Sequence, residues 1–184
     1  MQTKLTILLI GITFQLFGQA DKASIDFQQK IQSIENNCER INLITNWSDI
    51  QTKELWETTE GGEADFYYIG KQLEKIVTHY FGETFQKITE YYLQNGQLSF
   101  VSEKLYKYNK PINYKEDDDT EIFDFEKSEI IEFKYYFENE KLTHHSVHQI
   151  NKGLSPFTSI EDYQFKEQKQ IKTEFKELIN LQKK

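Results

Sequence analysis

Between residues 22 and 44 apolar side chains recur as Phe27, Ile31, Ile34, Cys38 and Ile41, at spacings of 4, 3, 4 and 3. That period predicts a helix with one apolar stripe, made to lie on a sheet. The period then changes. Ile131, Phe133, Tyr135 and Phe137 alternate with Glu132, Lys134, Tyr136 and Glu138, the signature of a strand with one wet face. A wet face points to an antiparallel sheet. Strands are expected near 63–69, 72–81, 86–94, 97–108, 128–138 and 141–149, joined mostly as sequential hairpins. Asn46-Trp47-Ser48-Asp49 reads as a turn, and 54–59 as a further short strand ended by Gly61-Gly62. Thr158-Ser159-Ile160-Glu161 matches a capping box, and Ile171, Phe175 and Leu178 give the helix after it an apolar stripe reaching about Leu181. The predicted fold is α+β: an N-terminal helix packed on a curved antiparallel β-meander of about six strands, then a C-terminal helix.

Within the β region one pattern occurs three times. It is two tyrosines, a short gap, a turn and a leucine: Tyr67-Tyr68 to Leu73, Tyr91-Tyr92 to Leu98, and Tyr135-Tyr136 to Leu142. Asn95-Gly96 is the clearest turn, since both residues tolerate positive φ. A two-residue turn there sets Leu93 opposite Leu98 and Tyr91 opposite Phe100, with Tyr92, Val101 and Ile88 on the other side. On these residues, with Gly61-Gly62-Glu63 before them, the chain resembles uncharacterised exported proteins of Bacteroidota over roughly 55–150. It is also similar, more weakly, to MORN-type hairpin repeats. The first copy here is one residue shorter, and Glu140 stands where the third would have a turn glycine. Neither resemblance implies catalytic residues.

The amino terminus reads as an address. Lys4, an apolar run from Leu5 to Phe17 and Gly18-Gln19-Ala20 form a signal-peptide pattern over 1–20, leaving one domain over 21–184. The run is shorter than the roughly 20 residues a spanning helix needs. The expected location is therefore outside the cytoplasm, periplasmic or extracellular, with no membrane insertion once the leader is cleaved. Cys38 is the only cysteine, so no internal disulfide can form, and its place on the helical stripe predicts burial.

Thirty acidic residues against 22 basic ones give a formal charge of -8. Nucleic acid is excluded as a partner, because phosphate binding needs the opposite balance. Arg40 is the one arginine, so any bidentate clamp on a carboxylate or phosphate must use it. His144, Ser146 and His148 fall on one side of a strand with His145 on the other. His144 and His148 are the candidate metal ligands, yet about 13 Å of strand separates them, so the expectation is no metal and no cofactor. The contiguous acids of 116–121 lack the spacing and the glycine of a calcium loop. No nucleophile elbow or phosphate-binding glycine loop is present. Each tyrosine pair puts one ring on each sheet face. An open face carrying Tyr68, Tyr92 and Tyr136 is thus the candidate binding surface for a protein, peptide or glycan. The functional expectation is a non-enzymatic exported binding or interaction module. The alternatives are a secreted hydrolase using carboxylates or His79 with 144–148, and a protein inhibitor presenting the acidic loop.

Overall fold

A computed structural model describes residues 24–56, 60–113, 122–152 and 164–183. The leader at 1–20, the acidic loop 116–121 and the capping box 158–161 lie outside the described residues. Helix α1 spans 24–42. Seven strands follow: β1 (Asp49–Leu55), β2 (Gly62–Ile69), β3 (Gln72–Phe81), β4 (Phe85–Gln94), β5 (Gln97–Lys107), β6 (Glu129–Glu138) and β7 (Lys141–Lys152). Helix α2 (Gln168–Gln182) ends the fold. Strand order in the sheet equals chain order, and every neighbour is antiparallel. The α+β meander is as expected, with one strand more. That strand is β1, where a turn was predicted around 46–49 and a strand around 54–59. It is an edge strand that buries only Leu55 and leaves Ile50 exposed, so little alternation marks it.

The three tyrosine motifs fold as three hairpins of one design. Their turns are Gly70-Lys71, Asn95-Gly96 and Asn139-Glu140, and Gly70, Asn95, Gly96, Asn139 and Glu140 all adopt positive φ. Each has one extra residue on the outgoing strand, three positions after the turn closes. Tyr92 pairs with Phe100 and Leu93 with Leu98, leaving Ser99 over. Tyr136 pairs with His144 and Phe137 with Leu142, leaving Thr143 over. Tyr67 pairs with Lys75 and Tyr68 with Leu73, leaving Glu74 over. Such bulges sharpen the local twist and let side chains two apart point to opposite faces. The Ser99 and Thr143 hydroxyls donate to the carbonyls of Tyr92 and Tyr136 at 3.0 and 3.1 Å, using the acceptors that the bulge frees.

These bulges correct the predicted register. Leu93 does face Leu98, but Tyr91 pairs with Val101 and Tyr92 with Phe100. They also show which residues of the three copies correspond. Tyr67, not Tyr68, is the counterpart of Tyr92 and Tyr136, and the shorter gap in the first copy is that one-residue offset.

Both faces of the sheet carry a helix. Helix α1 crosses the strands near the hairpin turns: Phe27 meets the His144 ring on β7 at 5.6 Å, Lys30 pairs with Glu138 at 3.2 Å, and Asn37 Nδ2 donates to the Leu93 carbonyl at 3.0 Å. Farther on, Arg40 donates to Asn37 and to the bulge carboxylate of Glu74. Ile34 and Ile41 close over Tyr92, Phe100 and Tyr136. Each such apolar side chain contributes about 1.5–3 kcal/mol by leaving water. The larger core lies on the opposite face, where Ile171 and Leu178 of α2 cover Phe66, Ile76, Tyr91, Val101, Ile131, Phe133 and Tyr135.

Candidate functional site

The face beneath α2 should be apolar throughout, yet three central strands break the rule at one level. Thr78 sits between Ile76 and Tyr80, Thr89 precedes Tyr91, and Glu103 follows Val101, each on the core-facing parity. Register aligns them, Thr78 opposite Thr89 and Thr89 opposite Glu103, so they form a polar row across β3, β4 and β5. All three are buried, at 1%, 2% and 8% exposure. A carboxylate this deep needs a partner. Lys166, just before α2, supplies it: its Nζ lies 2.6 Å from Glu103 and 2.9 Å from Glu174. Thr89 Oγ1 donates to Glu103 at 3.4 Å, and the Tyr91 hydroxyl donates to Glu174 at 3.4 Å. The Lys166 backbone N–H donates to the Tyr135 hydroxyl at 3.2 Å. Among the described residues the buried Thr78 hydroxyl has no hydrogen-bond partner.

The electrostatics follow from this enclosure. Burial opposes the charge on Lys166, but the adjoining carboxylates of Glu103 and Glu174 outweigh it and raise its pKa above the ordinary lysine value. Burial, then the charges of Glu174 and Glu103, hold the Tyr91 phenol well above its usual range. At neutral pH the group is a protonated lysine between two carboxylates with neutral phenols around it. Such an arrangement stores no free base or nucleophile, since each charge faces its counter-charge.

A cleft of about 470 Å³ opens beside this cluster, between α2 and the ends of β1, β3 and β4. Thr89, Tyr91 and Glu174 reach it from inside, and Glu54, Trp56, Tyr80, Lys87 and Glu177 are among its outer lining. Trp56 is 80% exposed, a large apolar surface left in water at the cleft mouth. Lys87 Nζ stands 4.7 Å over the Tyr80 ring.

The residues singled out from sequence are placed otherwise. Tyr68, Tyr92 and Tyr136 do not form an open face; their exposures are 7%, 2% and 5%. Tyr68 belongs to the core under α2, whereas Tyr92 and Tyr136 are sealed by α1. Their hydroxyls are engaged there, Tyr92 donating to Asn42 at 2.9 Å and Tyr136 to Glu35 at 3.0 Å. The physical reason is that an apolar ring on each face calls for a cover on each face, and the described residues include an amphipathic helix for each. His144 packs on Phe27 and Tyr136, His145 on Phe165, and His148 contacts the Ser146 hydroxyl at 3.1 Å. His79 bonds Gln86 on β4 at 3.0 Å. Strands β4, β5 and β6 separate His79 from the β7 histidines by about 19 Å, so no shared site forms. Among the described residues no three His, Cys, Asp or Glu side chains gather to hold a metal ion. Cys38 is half-buried, and burial followed by the Glu35 and Glu90 charges pushes its thiol up to about 12. Arg40 is spent on Glu74 and Asn37.

The polar row was within reach of sequence reading. Thr78, Thr89 and Glu103 each fall on the apolar parity of their strand, and a polar residue at such a position is the signal the sequence carries. Lys166 offered none, since only folding brings it 63 residues back along the chain to Glu103. No family model matches the chain, and no curated protein or solved structure matches it.

Proposed function

We propose that this protein is an exported binding module that takes a peptide or glycan ligand in the cleft beside α2. The observation that carries the reading is the contrast between the cleft's interior and its mouth. Inside, Glu103, Lys166, Glu174 and Tyr91 satisfy one another and fix the wall. Outside, the exposed Trp56 ring offers aromatic surface, with Glu54, Glu177 and Lys87 around the mouth. Rigid aromatic area ringed by a few polar groups is the usual make-up of a recognition site. Export rests on the 1–20 leader pattern, and among the described residues no helix is long and apolar enough to cross a membrane.

The test is a titration of the purified protein with envelope-derived peptide and glycan fractions, followed by iodide quenching of tryptophan fluorescence. A ligand in the cleft shields Trp56, and Trp56→Ala removes both the shielding and the affinity. Binding that survives Trp56→Ala rejects the site.

A further inference from the structure

Helix α2 is polarised around its axis. Glu174 and Glu177 face the cleft just described, while Lys169, Lys172 and Lys176 recur at spacings of 3 and 4 on the other flank. That flank borders a second groove of about 590 Å³, between α2 and the turns at Asn95-Gly96 and Asn139-Glu140. Its floor is apolar: Leu98 and Phe137 from the sheet, Phe175 and Ile179 from the helix. Glu140, held at a φ of 62, pairs with Lys172 at 3.0 Å. Lys169 and Lys176 are exposed, and among the described residues neither forms an ion pair.

A greasy floor with a cationic rim, on a chain whose net charge is -8, is complementary to one kind of molecule. We propose that this groove binds a single-chain anionic amphiphile, its aliphatic tail on Leu98, Phe137, Phe175 and Ile179 and its head group between Lys169 and Lys176. The site is separate from the Trp56 cleft and stands or falls independently of it. Two cations at one rim select the sign of the head group, and the apolar floor makes affinity grow with chain length.

The experiment is calorimetric titration of the purified protein with octanoate, decanoate and dodecanoate, each below its micellar concentration, with dodecyl maltoside as the neutral control. Each two-carbon extension should tighten binding by about tenfold. The maltoside should bind at least about tenfold more weakly than dodecanoate. The pair Lys169→Glu and Lys176→Glu, both at exposed positions, should weaken dodecanoate by about tenfold and leave the melting temperature near that of the parent. Thr173→Trp, on the exposed groove edge, should block all three acids. Dodecanoate and maltoside binding alike, affinity indifferent to chain length, or undiminished binding to the charge-reversed pair would each overturn the proposal. So would a dimer in solution that buries this groove and excludes dodecanoate.

Discussion

Removing Lys166 isolates the buried cluster more cleanly than any other change. Its side chain is 16% exposed and that of Glu103 11%, so Lys166→Met leaves a carboxylate enclosed by Thr89, Tyr91 and Tyr135 with no cation. Breaking one side of such a pair costs about 3–5 kcal/mol, because the stranded charge can neither be solvated nor neutralised by neighbours. With a urea dependence of about 2 kcal/mol per molar, the midpoint should fall by about 1.5–2.5 M. Adding Glu103→Gln should recover most of the loss, giving a coupling of about 2 kcal/mol or more in the double-mutant cycle. The assay is equilibrium urea unfolding followed by tryptophan fluorescence. A midpoint shift under about 0.5 M, or strict additivity with Glu103→Gln, would refute a buried, mutually dependent cluster.

Other outcomes follow from the same contacts. Alkali should unfold the protein early: Tyr91 and Cys38 have raised pKa values in the fold, as does Lys166, so their contribution is whole below the unfolded values and is lost as pH climbs above about 9–10. Phenolate absorbance at 295 nm should rise together with unfolding, and a melting temperature unchanged to pH 11.5 contradicts this. Cys38 should react with a disulfide reagent at pH 8 at least about a hundredfold more slowly in the folded protein than in urea, a rate that stopped-flow absorbance reads directly. Gly62→Ala should cost about 1–3 kcal/mol, because a Cβ there would lie 2.6 Å from the His79 carbonyl oxygen; thermal unfolding decides it. Asn37→Ala should cost about 1–3 kcal/mol by orphaning the Leu93 carbonyl and freeing Arg40, whereas a shift under about 0.3 kcal/mol would mean that α1 does not need this bond.

Much of the architecture was readable along the chain because local patterns and tertiary packing agree. The stripe from Phe27 to Ile41, the alternation from Ile131 to Phe137 and the Asn95-Gly96 turn each specify one conformation. What eluded the reading has particular causes. Strand β1 lies at an edge and buries one leucine, so it lacks a period. The bulges at Glu74, Ser99 and Thr143 insert a residue without any composition mark, and simple alternation therefore assigned Phe100 and Val101 to the wrong faces. The candidate surface of Tyr68, Tyr92 and Tyr136 assumed that one sheet face stays bare. Whether a helix crosses that face depends on contacts such as Asn37 to Leu93, 56 residues apart. The cleft needed Trp56, Tyr91 and Glu174 to be brought together from three distant segments.

The most direct test of the account is tyrosine nitration under native conditions, resolved residue by residue by mass spectrometry. If helices seal both faces near the hairpin turns, Tyr91, Tyr92, Tyr135 and Tyr136 stay unmodified while the half-exposed Tyr106 and Tyr108 react. Nitration of Tyr92 and Tyr136 at the rate seen in urea would mean that α1 leaves its face bare, and would return function to the open sheet surface.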